Sequence, residues 1–426
     1  MNKKLIKNSL IFTIGDVLNK SIPFFMLPVL TRYLTPADYG VIAIFNVCVA
    51  ILGVFTGLSV HGAVNVNYFK LEKKELKSFI GNCLFILSAS TSVILLLGII
   101  CYPFFSVKIG MSIEWFIFAI IVSAAQFLTT INLTLWIVEE RPKPYSIYQL
   151  SQTALLAVLS IILVVGFGMN YEGRLIAITI GTILFSFISL VFIIKRGFFT
   201  FKINRNHLID ALKFGGPLIP HQLSGWVKSG FDRLILATTL GASVTGVYSV
   251  AYQIAFIVDT LMASFNKVWG PYIMKLLASS PSFEKKKKVV ITTYLLFLII
   301  LICAGVFSVL ANYFIPIFLG EKFIGTIKYI PFFSTAFAFG GMYYVVVPYL
   351  FFTKKTHFLS ISTSISAGVH LVALYFFTKN NGAIGAAYAS MISFFTLFIL
   401  TWYLSSRAYQ MPWVLWKEER PLNENR

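Results

Sequence analysis

The sequence predicts an all-α polytopic membrane protein with about twelve transmembrane helices, and three observations support this prediction. Of the 426 residues, 58% are hydrophobic and only 12% are charged, which is about half the charged share of a soluble domain. The apolar residues form continuous runs rather than an alternating pattern, which favours helices over a membrane β-barrel. Basic residues collect in the loops on one side of these runs. This composition excludes a soluble enzyme, a nucleic-acid-binding module and a disulfide-stapled secreted domain.

A scan along the chain finds twelve apolar runs of the length that a membrane-crossing helix needs, about 20 residues each. The first six predicted spans are 9–33, 40–63, 79–104, 113–138, 146–168 and 174–194. The second six are 214–240, 246–271, 289–318, 326–352, 357–378 and 383–406. The basic loop at 195–213 separates the two sets. We therefore predict an N-terminal six-helix lobe at 1–200, a C-terminal six-helix lobe at 201–406 and a cytoplasmic tail at 407–426.

The distribution of lysine and arginine orients the predicted spans. If the N-terminus is cytoplasmic and the spans alternate, the cytoplasmic side receives 25 of the 35 basic residues, the outer side receives six, and four lie within spans. Cytoplasmic loops of membrane proteins carry such an excess, so both termini are predicted to be cytoplasmic. The run Lys285–Lys288 is predicted to orient the chain and to contact anionic membrane lipid. The net charge of +19 therefore requires no nucleic-acid partner.

The sequence contains no pattern that predicts a metal site, a bound cofactor or an ATPase. The four cysteines all fall inside the apolar runs, at Cys48, Cys83, Cys101 and Cys303. They are interpreted as small apolar packing residues rather than as a disulfide or metal set. The phosphate-binding GxxxxGK[ST] loop of an ATP-driven pump is absent from the sequence. No cofactor is predicted, apart from an H⁺ or Na⁺ that would drive transport.

The chain shows a weak two-fold repeat. A shift of 206 residues places Leu30 on Leu236, Leu34 on Leu240, Gly40 on Gly246, Val41 on Val247 and Ile51 on Ile257. With six spans in each half, both halves begin on the cytoplasmic side. This pattern is typical of parallel repeats about an axis along the membrane normal, which alternating-access transporters use.

Several motifs resemble one family of membrane proteins. In the first half these are Lys7-Asn8-Ser9 before the first span, Leu30-Thr31-Arg32-Tyr33-Leu34 at its end, and Pro36-Ala37-Asp38-Tyr39-Gly40 in the following turn. In the second half they are Phe231-Asp232-Arg233 and Gly246-Val247-Tyr248. The pattern is similar to polysaccharide-biosynthesis flippases of the O-antigen (Wzx) type. These belong to the multidrug/oligosaccharidyl-lipid/polysaccharide exporter superfamily.

The resemblance implies a fold, a substrate and a location. Such proteins have two six-helix lobes around a V-shaped cavity. They move an undecaprenyl-diphosphate-linked oligosaccharide from the inner to the outer leaflet of the bacterial cytoplasmic membrane. The implied partners are this lipid-linked oligosaccharide, the membrane lipids and other membrane proteins of polysaccharide assembly.

Charged residues inside the predicted spans give the most specific indication of a site. At the centre of a membrane helix each costs roughly 2.5–3.5 kcal/mol on insertion scales, so they are expected to face protein or water. The seven that lie well within spans are all in the first, seventh and eighth predicted spans: Asp16, Lys20, Lys228, Asp232, Arg233, Asp259 and Lys267. Cations bind phosphate oxygens through charge-assisted hydrogen bonds. We therefore predict that Lys20, Lys228, Arg233 and Lys267, together with Arg32, bind the substrate.

The three carboxylates have two open interpretations. Asp16 and Lys20 are four residues apart, as are Lys228 and Asp232, so each pair lies on one helix face and can neutralise itself. Alternatively, Asp16, Asp232 or Asp259 carries a coupling proton or cation, as intramembrane carboxylates often do. Both roles stay open at the level of sequence.

Other functions fit the sequence less well. A multidrug antiporter of the same superfamily is expected to have a more acidic cavity, and a peptidoglycan-precursor flippase typically has more than twelve spans. A membrane glycosyltransferase or polymerase would need a large outer loop, whereas the longest predicted outer connection is about ten residues. The protein is therefore not predicted to be an enzyme.

Overall fold

The structure, a computed structural model, describes residues 3–279, 281–355 and 357–414. These residues are helical almost throughout, and none of them forms a β-strand. A chain with so few polar side chains must satisfy its backbone groups internally when it crosses a membrane, and the helix does so within one segment. The prediction of an all-α polytopic membrane protein is confirmed.

Thirteen α-helices occur in the described residues. The first seven are α1 Lys3–Tyr33, α2 Pro36–Phe55, α3 His61–Asn67, α4 Lys73–Ile109, α5 Ile113–Val138, α6 Pro142–Ile161 and α7 Tyr171–Lys195. The remaining six are α8 Arg205–Gly215, α9 Leu218–Leu240, α10 Ala242–Ala278, α11 Phe283–Leu319, α12 Ile330–Phe352 and α13 His357–Ala408. At 52 residues α13 holds two predicted spans, and the non-helical backbone of Gly382 (φ 58°) separates them.

Nine helical segments in the described residues are long and apolar enough to cross a membrane. The long helix α13 is one of the nine. The helix α9 is not among them, although it is long enough to span a bilayer, and neither is the part of α1 whose side chains the structure describes. These two helices carry five of the seven charged residues predicted to lie within spans. Most of the charged residues within the predicted spans are therefore concentrated on two helices.

The predicted span 40–63 is interrupted rather than continuous. A short 3-10 turn at Thr56–Ser59 follows α2, and Gly57 has a left-handed backbone (φ 74°). A Cβ at Gly57 would overlap the ring of Phe127, so glycine is required there by both conformation and space. The Gly57 N–H, which leaves the helical pattern, donates instead to Ser90 Oγ at 2.8 Å.

The basic loop predicted at 195–213 contains a further helix, α8. Its N-terminus is capped by Asn204, whose side chain accepts a hydrogen bond from the Asn206 N–H. The His207 Nε2 on α8 lies 3.0 Å from the Glu75 carboxylate, and Asp210 accepts a hydrogen bond from the Asn67 amide at 3.0 Å. The loop is thereby fixed against α3 and α4.

The helices form two compact units. The first comprises Met1–Val250 and Ile315–Thr326, and the second comprises the described residues of Ala251–Phe314 and Ile327–Arg426. The predicted lobes at 1–200 and 201–406 were defined by repeat and loop position, not by contacts, and they stay predictions. The predicted tail 407–426 lies largely outside the described residues, which end at 414. Its first part is packed, because the Tyr294 hydroxyl donates to the Trp413 carbonyl at 2.6 Å.

Each unit has its own apolar core. In the first unit the most buried core residues include Phe79, Ile80, Cys83, Ile131, Leu135 and Ile193. In the second unit they include Ile273, Val290, Ala338, Val345, Val346 and Tyr349. Burial of Cys83 in the first core agrees with its interpretation as a packing residue.

Candidate functional site

The first charged position predicted on α1 lies against α6. The Tyr145 hydroxyl on α6 donates to the Asp16 carboxylate at 3.3 Å, and the side chain of Asp16 is half-buried. The two helices approach closely at this point, because a Cβ at Gly15 would overlap Ser146. Lys20, one turn further along α1, is exposed. Because Gly15 has no side chain, α1 and α6 approach closely beside the hydrogen bond between Tyr145 and Asp16.

The charges on α9 differ sharply in burial. Asp232 is fully buried and accepts hydrogen bonds from the Tyr248 hydroxyl on α10 and from the Arg233 N–H. Lys228 and Arg233 are half-buried, and the Arg233 guanidinium donates to the Ser229 carbonyl at 2.7 Å. Among the ion pairs of the described residues, none joins Lys228 to Asp232. The buried carboxylate is thus satisfied mainly by a neutral donor from another helix.

The second unit holds the remaining two predicted residues, both on α10. The Tyr344 hydroxyl on α12 donates to Asp259 at 3.4 Å, and Asp259 is half-buried. Lys267, two turns further along α10, is exposed. Two residues after Lys267, the Trp269 indole N–H donates to the Val345 carbonyl at 2.9 Å. This hydrogen bond connects α10 to α12.

One arrangement recurs at all three carboxylates. Asp16, Asp232 and Asp259 each accept a hydrogen bond from a tyrosine hydroxyl on a different helix. The hydrogen-bond partners Tyr145 and Tyr344 were missed by the sequence analysis, because residues more than 80 positions away share no local pattern with the carboxylate. Tyr248 lies sixteen residues from Asp232 and stands in the Gly246-Val247-Tyr248 motif. That motif therefore has a structural task in addition to any contact with substrate.

The predicted substrate-binding cations retain access to solvent or substrate. Lys20, Arg32 and Lys267 are exposed, whereas Lys228 and Arg233 are half-buried. Four of these residues belong to the first unit and Lys267 to the second. Side chains of this kind bind phosphate oxygens without needing a fixed pocket, because they are long and carry several donors. Their role stays a prediction.

The turn motif Pro36-Ala37-Asp38-Tyr39-Gly40 begins α2 with a capping box. The Thr35 hydroxyl accepts from the Asp38 N–H, and the Asp38 carboxylate accepts from the Thr35 N–H at 2.8 Å. These bonds satisfy two backbone donors at the helix start. They also fix the start of α2, whose fifth residue, Gly40, contacts α10.

The start of α2 contacts the start of α10 in a two-fold manner, within the first unit. A Cβ at Gly40 would overlap the Ala242 carbonyl, and a Cβ at Gly246 would overlap the Pro36 carbonyl. The shift of 206 residues that defines the sequence repeat places Pro36 on Ala242 and Gly40 on Gly246. The contact is therefore self-complementary, like a two-fold interface, and the repeat has a structural counterpart here.

Comparison with known proteins gives a family and a fold. A family model described as "Polysaccharide biosynthesis protein" matches residues 5–277. A protein of Haemophilus influenzae named "Uncharacterized membrane protein" is 26% identical over 375 residues, which cover 87% of this chain and 89% of that protein. The region that the family model matches includes α9 and nearly all of α1 and α10, the helices that carry the predicted charges.

Two groups of solved structures share the fold. A lipid II flippase MurJ in an inward closed conformation has a TM-score of 0.75 and 17% identity, covering 93% of this chain and 87% of that one. An inward-facing multidrug resistance MATE family transporter of the MOP superfamily has a TM-score of 0.66 and 16% identity, covering 92% and 97%. The fold of this chain is that of these membrane transporters.

Proposed function

The chain belongs to the polysaccharide biosynthesis protein family, and from this membership we propose that it is a lipid-linked oligosaccharide flippase. Its family and its fold are those of membrane transporters. The proposed substrate is an undecaprenyl-diphosphate-linked oligosaccharide such as an O-antigen repeat unit. The protein carries it from the inner to the outer leaflet of the bacterial cytoplasmic membrane by alternating access.

The observation that carries this proposal is the position of the seven charged residues that lie well within the predicted spans, since all seven are on α1, α9 and α10. Their net charge is positive, since four cations accompany three carboxylates. Each of the three carboxylates also accepts a hydrogen bond from a tyrosine hydroxyl, which is a neutral donor. A diphosphate is the anion that the proposed substrate presents, and lysine and arginine are its usual ligands.

The five cations receive related roles. Lys228 and Arg233, which are half-buried, bind the diphosphate, where partial removal from water strengthens each charge-assisted hydrogen bond. Lys20, Arg32 and Lys267, which are exposed, attract the headgroup and guide it. The oligosaccharide follows the headgroup across the membrane.

The energy for transport is proposed to come from a coupling H⁺ or Na⁺ bound at a carboxylate. Asp16 and Asp259 suit this role better than Asp232. Each is half-buried, and its tyrosine hydrogen bond is long, at 3.3 and 3.4 Å. Asp232 has no exposed surface, so an ion would have to displace Tyr248 to reach it.

The decisive experiment is to delete the gene and identify the lipid that accumulates in the inner leaflet. We expect an undecaprenyl-diphosphate-linked oligosaccharide to accumulate and surface polysaccharide to disappear. Plasmid-borne wild-type protein should restore both. A Lys74→Ala/Lys202→Ala variant serves as a control, since it removes two exposed cations outside the predicted spans and should restore export as well as wild type does.

The same experiment separates the alternatives. Accumulation of lipid II, which is the substrate that the MurJ structure is named for, would identify a peptidoglycan-precursor flippase. Unchanged lipids together with increased sensitivity to cationic drugs would identify a multidrug antiporter. Either result would refute the proposed substrate.

A further inference from the structure

A basic pocket lies where α10 ends and α11 begins, in the second unit. Its volume is about 520 Å³, and three lysines line it: Lys275 from the last turn of α10, and Lys285 and Lys288 from the first turns of α11. Three like charges that share one pocket repel each other. Such a pocket is therefore suited to an anion that neutralises them.

The lysine run at the start of α11 is divided between two tasks. Lys285 and Lys288 are three positions apart and lie on one face of the helix, where both line the pocket. Lys286 instead has its ammonium over the ring of Tyr409, 5.4 Å from the centroid. The sequence shows four equivalent lysines, whereas the structure selects two of them and adds Lys275 from another helix.

The floor of the pocket is apolar. Val289 is buried, Leu276 is half-buried and the ring of Tyr272 forms a further wall. Two hydroxyls, of Ser279 and Thr292, complete the lining. The pocket thus offers cations and hydrogen-bond donors to a headgroup, and apolar surface to the chain that follows it. No carboxylate of the described residues lines it.

From this arrangement we infer that the pocket between α10 and α11 binds the phosphate headgroup of an anionic phospholipid. A free phosphate ion would use the lysines but would leave Leu276 and Val289 in contact with water. An amphiphile uses both. Basic pockets between transmembrane helices on the cytoplasmic side are typical sites for anionic lipid headgroups, and the positive-inside distribution predicts that this end of α10 is cytoplasmic.

The inference is tested with the purified full-length protein in a neutral detergent. Phosphatidylglycerol is titrated into the micelles, and the bound fraction is measured by native mass spectrometry. We compare wild type with Lys275→Ala/Lys285→Ala/Lys288→Ala. The variant should bind about a hundredfold more weakly, since each lysine near an anionic surface contributes about fivefold. Phosphatidylcholine should bind neither protein above background.

A charge-matched control separates the pocket from general attraction. Lys74→Ala/Lys202→Ala/Lys287→Ala removes the same charge, from residues that do not line the pocket, and should stay within about threefold of wild type. An equal loss in both triple variants, or equal binding of phosphatidylcholine, would refute a specific site. So would competition by inorganic phosphate at concentrations similar to those of the lipid.

The inference does not depend on the proposed function, and transport gives an independent outcome. The pocket variant should keep glycan export when its protein level matches wild type. If it instead loses export, and undecaprenyl diphosphate displaces phosphatidylglycerol from the wild-type protein, the pocket belongs to the substrate path and not to a phospholipid.

Discussion

Two regions of this protein are built on opposite principles. Where α2 meets α10, Gly40 and Gly246 bring backbone against backbone, and a single added Cβ would overlap a carbonyl oxygen. In the middle of α1 and α9, which belong to the same unit, Lys20, Lys228 and Arg233 are by contrast exposed or half-buried. Close packing in the first region requires residues without side chains. The predicted substrate contacts in the second region require long side chains.

Substitutions in the two regions are therefore expected to affect different properties, namely stability in the first region and transport in the second. Contacts between backbones cannot yield by moving a side chain, so changes at the glycines should alter folding or conformation. Exposed lysines and arginines contribute little to stability, so changes there should alter function alone. Asp232 lies between these extremes, because it is charged and yet fully buried.

The largest effect is expected at the glycine contact. Gly40→Ala and Gly246→Ala should each lower the free energy of unfolding by about 1–3 kcal/mol, which is typical of overpacking. Thermal unfolding in detergent measures this loss. Because both substitutions separate the same two helices, the double variant should lose less than the sum of the single variants.

Gly53→Ala is the matched control on α2. Nothing lies within 4 Å of a Cβ at Gly53, and alanine favours the helix by up to about 1 kcal/mol. This variant should be neutral or slightly stabilised. Equal destabilisation of the Gly53 and Gly40 variants would show that the tight contact is not what makes Gly40 necessary.

The buried and half-buried carboxylates should respond differently. Asp232→Ala leaves the Tyr248 hydroxyl buried without its acceptor, and should cost on the order of 2 kcal/mol. Asp259→Ala should cost less than about 1 kcal/mol, because Asp259 is half-buried and its bond to Tyr344 is long, at 3.4 Å. Protein level and melting temperature report both. A greater loss of stability for Asp259→Ala than for Asp232→Ala would contradict the view that Asp232 contributes more to stability.

The cations should affect transport without affecting stability. Lys228→Ala, Arg233→Ala and Lys267→Ala are each expected to leave the protein folded and inserted but to abolish glycan export. Surface polysaccharide is measured at matched protein level. Normal export in all three variants would remove the electrostatic argument for substrate binding, while leaving the fold and family unaffected.

The smallest effect on stability is expected at Asp16 and Lys20, where a double-substitution cycle separates the two interpretations. If the residues serve only as a charge pair, Asp16→Asn/Lys20→Gln should restore the export that either single change removes. We expect no such rescue, because Lys20, like Arg32 and the cations of the second half, is predicted to bind the substrate. Full rescue by the double variant would assign the pair to packing.

The topology itself can be checked without changing stability. A reporter inserted at Lys202 should be cytoplasmic and one at Lys379 should be outside. This result would place the Gly40–Gly246 contact at the outer ends of α2 and α10. A reporter at Lys202 that reads as external would contradict the predicted orientation and the even number of spans.

The fold class, the helices and the candidate site residues could all be predicted from local features of the sequence. This was possible because a membrane imposes local rules: each crossing needs its own apolar run, and each buried charge in such a run is costly. The twelve predicted spans therefore match helices, and the charged residues stand out. The correspondence between Gly40 and Gly246 could also be recognised in the sequence, from the shift of 206 residues that relates the two halves.

The contacts between these helices, by contrast, are known only from the tertiary structure. The break at Gly57 depends on the ring of Phe127, which is 70 residues away. The partners Tyr145 and Tyr344, and the choice of Lys285 and Lys288 rather than Lys286 for the basic pocket, depend on helices that are neighbours only after folding. Contacts of this kind are set by the geometry of packed side chains and not by local composition, so no pattern along the chain encodes them.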